Sequence, residues 1–121
     1  MGNLHSVGKA LERLGETAVP VHSPVDLNAI DALILPGVGS FDPAIDNLQA
    51  TGLVPHLKAW GENNRPLLGI CLGLQLLFER SDEGDKAGLG LLQGSVERLR
   101  FHPKERIPHM GWAPLKVERN C

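Results

Sequence analysis

Two short runs of uninterrupted apolar residues, each ending in a glycine-bearing turn, limit what this chain can become. Ala32-Leu33-Ile34-Leu35 lies between Asp31 and Pro36-Gly37, and Pro66-Leu67-Leu68-Gly69-Ile70 ends at Cys71. Apolar residues in succession, rather than in alternation, suit strands buried on both faces of a parallel sheet. Between the runs the pattern is helical. Asp42-Pro43 reads as an N-cap followed by proline at the first helical position, opening a helix with Ile45, Leu48 and Gln49. A second helical stretch runs from Leu53 through Leu57 to Trp60.

The flanks follow the same logic. Leu4, Val7, Leu11 and Leu14 share one helical face, with Lys9, Glu12 and Arg13 largely on the other. Gly15 follows as a C′ residue. Thr17 to Val21 is β-rich, but Pro20 demotes it to an edge strand, and Ser23-Pro24 opens a short helix or turn through Asn28 and Ala29. After Cys71 helix resumes at once, with Leu74, Leu77 and Phe78 on one face. Val96 to Phe101 and Trp112 to Val117 read as antiparallel strands around a polar turn. Strands alternating with helices, followed by hairpin-like segments, predict an α/β doubly wound, mostly parallel sheet with a β excursion near the C-terminus.

Composition narrows the function classes. The chain has 121 residues, 42% of them hydrophobic and 21% charged, with a net charge of −2. That length suits one domain. The 12 basic residues are scattered, so no nucleic-acid footprint is expected. No apolar run approaches the roughly 20 residues that span a bilayer. Met1-Gly2-Asn3-Leu4-His5 lacks the plan of a signal peptide, and Cys71 and Cys121 do not make a disulfide framework. The cytoplasm is the expected compartment, with no metal or cofactor.

The chemistry concentrates at Gly69-Ile70-Cys71-Leu72-Gly73, which has the form of a nucleophile elbow with cysteine in the serine position. A residue on a sharp strand-to-helix turn is forced into strained backbone geometry, so its neighbours must be small. The thiol is lifted clear of the sheet, at a helix N-terminus that favours the thiolate. The Leu72 amide points where an oxyanion would develop. Taken alone, the pentapeptide equally suits a buried, inert cysteine. The second glycine loop, Pro36 to Gly39, shifts the balance. It also follows a buried strand, and in a parallel sheet both loops open at the same carboxyl edge, where such sheets hold ligands.

Leu35-Pro36-Gly37-Val38-Gly39-Ser40-Phe41 resembles the oxyanion-strand motif of class I glutamine amidotransferases, and Gly69-Ile70-Cys71-Leu72-Gly73-Leu74-Gln75 resembles their nucleophile motif. Within that family four segments resemble the branch serving imidazole glycerol phosphate synthases. They are the Pro-Gly-Val-Gly form, Pro108-His109-Met110-Gly111-Trp112, Met1 to Val7 and Gly88 to Gly94. The resemblance implies a flavodoxin-like amidotransferase domain in which Cys71 attacks glutamine and forms a γ-glutamyl thioester, releasing ammonia. It implies that the Leu72 amide and the Val38 or Gly39 backbone hold the oxyanion, that Gly37 belongs to the same substrate site, and that Gln75 and Glu83 bind the polar groups of glutamine. A solvated helix residue is the alternative for Gln75, and a plain surface charge is an equal alternative for Glu83.

The resemblance further implies a heterodimer. Asn3, His109, Met110 and Trp112 would face a cyclase subunit, a (β/α)8 barrel that receives the ammonia in histidine biosynthesis. Core packing is the alternative for His109, Met110 and Trp112. In the family a buried strand precedes the Gly-Asn turn, and a histidine and a glutamate follow well downstream. Residues 1–121 therefore read as a partial domain without that strand and that His/Glu region. Phe101-His102-Pro103-Lys104-Glu105 mimics the late His-Pro-Glu, but Lys104 interrupts it and it precedes Pro108-His109. It is read as an excursion turn. His5, His22 and His56 have no motif context and are expected on the surface. An amidotransferase of another synthase and a non-catalytic flavodoxin-like binding module are the rival readings.

Overall fold

A computed structural model describes residues 4–100, 103–104 and 110–119. Among them, helix α1 spans Leu4–Arg13, a 3-10 helix spans Pro24–Ala29, and strand β1 spans Leu33–Gly37. Helices α2 (Phe41–Ala50) and α3 (Val54–Glu62) follow, then β2 (Leu67–Cys71), α4 (Leu72–Leu76), and the two-residue strands β3 (Arg80–Ser81) and β4 (Ser95–Val96).

β1 and β2 pair in parallel, from Leu33 opposite Leu67 to Gly37 opposite Cys71. The β1-α2-α3-β2 passage is therefore a crossover unit, and both strands end at one edge. Helices combined with parallel strands make this an α/β architecture, as the apolar runs predict.

The core has two parts, joined at β1. Leu27, Leu33, Leu48, Leu53, Leu57, Trp60, Leu77 and Leu89 form one cluster, and Phe41, Ala44, Ile45, Leu72 and Leu76 form the other; Leu35 packs against both. α2 feeds both because Phe41, Ala44, Ile45 and Leu48 fall on one face at the i, i+3, i+4, i+7 spacing. The turn entering β2 is closed by Trp60, whose Nε1–H donates to the Pro66 carbonyl at 2.9 Å. The Arg65 guanidinium stacks 3.3 Å from the Trp60 ring centroid and donates to the Ile30 carbonyl.

Several local expectations differ from what is observed. β2 is covered on one face only, since Leu68 and Ile70 are 55% and 39% exposed. α1 forms with Gly15 at φ +79 behind it, but buries none of its residues. Thr17 to Val21 forms no strand. Pro20 has no N–H to give a ladder, and Val21 instead packs against the larger cluster. α2 starts at Phe41 with Ser40 as N-cap, two residues earlier than Asp42-Pro43 suggests. The reason is that the Asp42 carboxylate accepts hydrogen bonds from a distant turn. The excursion also differs. β4 pairs in parallel with β3, and residues 112–117 are exposed and in no ladder among the described residues. Leu115 and Val117 have no face to cover there. Phe101, His102 and Glu105 lie outside the described residues.

Candidate active site

The local sequence makes the turn at Cys71 both sharp and rigid. Cys71 is the last residue of β2 and the residue capping α4, with φ +56 and ψ −122. A residue bearing a Cβ holds a positive φ at a cost of about 1–3 kcal/mol, which persists only where the surroundings over-determine it. Three glycines do so here. A Cβ on Gly69 would lie 2.5 Å from the Leu74 Cα, so the helix returns directly across the strand end. One on Gly73 would run into the Leu35 carbonyl oxygen of β1. One on Gly37 would meet the Gly73 nitrogen at 2.7 Å and the Leu72 Cβ at 3.1 Å. The end of β1 and the elbow thus touch backbone to backbone.

Leu72, 2% exposed, drives its side chain among Phe41, Ala44 and Ile45 and anchors the turn from below. The Cys71 thiol faces outward, exposed and unbridged. Beside it, Val38 is exposed and Gly39 has φ +99, a conformation open to glycine at little cost. The candidate residues Gly37, Val38, Gly39, Cys71 and Leu72 are therefore gathered at one sheet edge.

Gln75 lies one turn along α4. Its Oε1 is buried and has no hydrogen-bond donor, a state that costs about 1–3 kcal/mol. It is not a solvated helix residue.

Glu83 is exposed on a turn fixed from both ends. Its N–H donates to the Oγ of the buried Ser81, and the neighbouring Asp82 N–H donates to the Val96 carbonyl. On the other side the Asp85 and Lys86 N–H groups donate to the two Asp42 carboxylate oxygens, each at 3.0 Å. Those bonds to the charged form, from Asp85 first and Lys86 second, hold the Asp42 carboxyl below its ordinary value. Asp42 is the residue that sequence reasoning missed. Its partners lie 43 and 44 positions away, and the Asp-Pro pair offered a local explanation that hid them.

Two of the four interface candidates lie among the described residues. Met110 and Trp112 are exposed, Trp112 fully so at 105%. Neither packs against the core among the described residues. Asn3 and His109 lie outside the described residues. His5, His22 and His56 are all exposed. Among the described residues no group of His, Cys, Asp and Glu could hold a metal ion, and no helix is long and apolar enough to cross a membrane. What the arrangement offers chemically is an accessible thiol on a rigid strand-to-helix turn, faced by a glycine loop.

Comparison with known proteins supplies relatives and a family. The chain is 83% identical over its full 121 residues to imidazole glycerol phosphate synthase subunit HisH of Synechococcus sp. (strain CC9902), and 67% identical to the subunit of that name in Synechococcus sp. (strain CC9605). The subunit of Nostoc punctiforme (strain ATCC 29133 / PCC 73102) is 52% identical over 117 residues, 97% of the chain. The chain spans 57%, 57% and 56% of the length of these relatives. The family model described as the SNO glutamine amidotransferase family matches residues 1–110, and the chain belongs to that family.

Proposed function

We propose that this chain is the nucleophile-bearing part of a glutaminase subunit. In this reading it hydrolyses glutamine to glutamate and ammonia, and passes the ammonia to a cyclase subunit that makes imidazole glycerol phosphate in histidine biosynthesis. The observation that carries the reading is Cys71 at φ +56 between Gly69 and Gly73, with Gly37 of β1 packed against the elbow. Strain of that kind at an exposed thiol is retained where chemistry needs the side chain aimed. The names of the relatives support the choice of synthase.

In the proposed sequence the Cys71 thiolate adds to the side-chain carbonyl carbon of glutamine. The oxyanion is held by backbone N–H groups of Leu72 and of the 37–39 loop. Collapse breaks the C–N bond, ammonia leaves with a proton from a general acid, and a γ-glutamyl thioester remains. Water, giving up its proton to the same group now acting as base, then cleaves the thioester to glutamate and regenerates the thiol. That acid/base group belongs, in this proposal, to the part of the relatives' length that this chain does not span. Gln75 and Glu83 are assigned to the α-amino and α-carboxylate end of the substrate, which would give the buried Gln75 oxygen a donor. Met110 and Trp112, with Asn3 and His109, are assigned to the contact with a (β/α)8-barrel cyclase in a cytoplasmic heterodimer.

The test is direct trapping. Intact protein mixed with glutamine, quenched in acid and digested, should yield the Cys71 peptide carrying a γ-glutamyl group by mass spectrometry. Turnover with an unmodified Cys71 peptide at every quench time would contradict the covalent route.

A further inference from the structure

We infer that Asp42 is a positioning residue for glutamine binding, acting through the turn that carries Glu83. The inference rests on the glutaminase reading and on the assignment of Glu83 to the substrate.

The physical basis is a clamp between two parts of the sheet edge. Asp42 follows Gly39 by three residues, on the first turn of α2. Phe41 beside it is wholly buried in the cluster that also holds Leu72 and Leu76. The start of α2 is therefore fixed relative to both the glycine loop and the elbow. From that fixed point the carboxylate accepts one N–H on each oxygen, from Lys86 on Oδ1 and Asp85 on Oδ2. Two parallel charge-assisted bonds set orientation as well as distance. Gly84 completes the fit, since a Cβ there would run into the same carboxylate. Lys86 also pairs with Asp46 across the same gap, but both side chains are about half exposed (43% and 52%), and such pairs contribute little. Beside that exposed pair, the two Asp42 bonds are the hydrogen bonds that tie the turn carrying Glu83 to α2 among the described residues.

The test is steady-state glutamine hydrolysis by the intact protein in its synthase complex. Asp42→Asn keeps the size of the side chain and puts an amide N–H where one backbone N–H needs an acceptor. The glutamine KM should rise about tenfold, with kcat changed less than about twofold, as expected when binding rather than chemistry is lost. Gly84→Ala displaces the turn with the carboxylate intact and should produce the same KM rise, so the inference does not hang on one variant. Asp46→Asn should leave KM unchanged. In a Glu83→Ala background, Asp42→Asn should add less than about twofold, because the two act through one contact. A general loss of fold would instead give additive effects. Unchanged KM in both Asp42→Asn and Gly84→Ala would overturn the inference, and so would full additivity with Glu83→Ala. If Glu83→Ala alone left KM unchanged while Cys71 stayed essential, the role of Glu83 would fall and the clamp with it. Dispensability of Cys71 would mark failure of the glutaminase reading itself.

Discussion

At the residue scale, two aspartates tie local turns to pH. Asp26 accepts the His22 and Ser23 N–H groups and the Ser23 hydroxyl, as Asp42 accepts those of Asp85 and Lys86. For Asp26 the His22 bond is the largest cause, and both carboxyls lie below the ordinary 3.8. A depressed folded-state pKa means that the contribution is fully present above about 3.8 and is lost as pH falls through the folded values. Acidification below about pH 3.8 should therefore loosen the 22–29 and 81–86 turns. In an NMR titration the Asp85 and Lys86 amide shifts should move with a midpoint under 3.8, and Asp42→Asn should abolish the movement. A midpoint at or above 3.8 would contradict the hydrogen-bonding scheme. Asp42 also marks how far residues could be read from sequence. Cys71 was legible because an elbow needs glycines at fixed offsets, which are written within five residues. The role of Asp42 was not, because its partners come from another turn and its own neighbours suggested a cap.

At the element scale, the apolar runs were enough to place β1 and β2 and to predict that they run parallel. Their period and bounding glycines are local facts. The segments at Thr17–Val21 and 112–117 have β-type composition but pair with no strand among the described residues, and composition cannot supply a partner. The close approach of the two strand ends makes a sharper forecast. Gly73→Ala in the intact protein would place a Cβ on the Leu35 carbonyl, a collision with backbone that cannot rotate away. It should destabilise the fold by about 1–3 kcal/mol or more, visible as a fall of several degrees in Tm. Gly61→Ala provides the contrast. Its Cβ would press only on the Leu91 side chain, whose terminal carbons can shift, while alanine gains up to about 1 kcal/mol of helix propensity. That variant should be near neutral. Equal losses from the two substitutions would contradict the backbone-contact account of the elbow.

At the scale of the whole molecule, the account assigns one edge to glutamine and the 110–112 region to a partner. Trp112 packs against none of the described core, and the partner assignment predicts that Trp112→Ala in the intact protein leaves Tm nearly unchanged. Cyclase affinity should fall by roughly 30-fold, the equivalent of the ~2 kcal/mol typical of a buried aromatic anchor. A large loss in Tm with unchanged affinity would end the interface assignment. The central claim is that Cys71 breaks the glutamine amide and does nothing else. It is tested most directly by Cys71→Ala in the intact protein assembled with its cyclase. Synthesis of imidazole glycerol phosphate is measured with glutamine and, separately, with an ammonium salt. The account predicts loss of glutamine-dependent synthesis by several orders of magnitude, with ammonium-dependent synthesis unchanged. Glutamine-dependent synthesis that survives the substitution, or loss of both activities together, would contradict it.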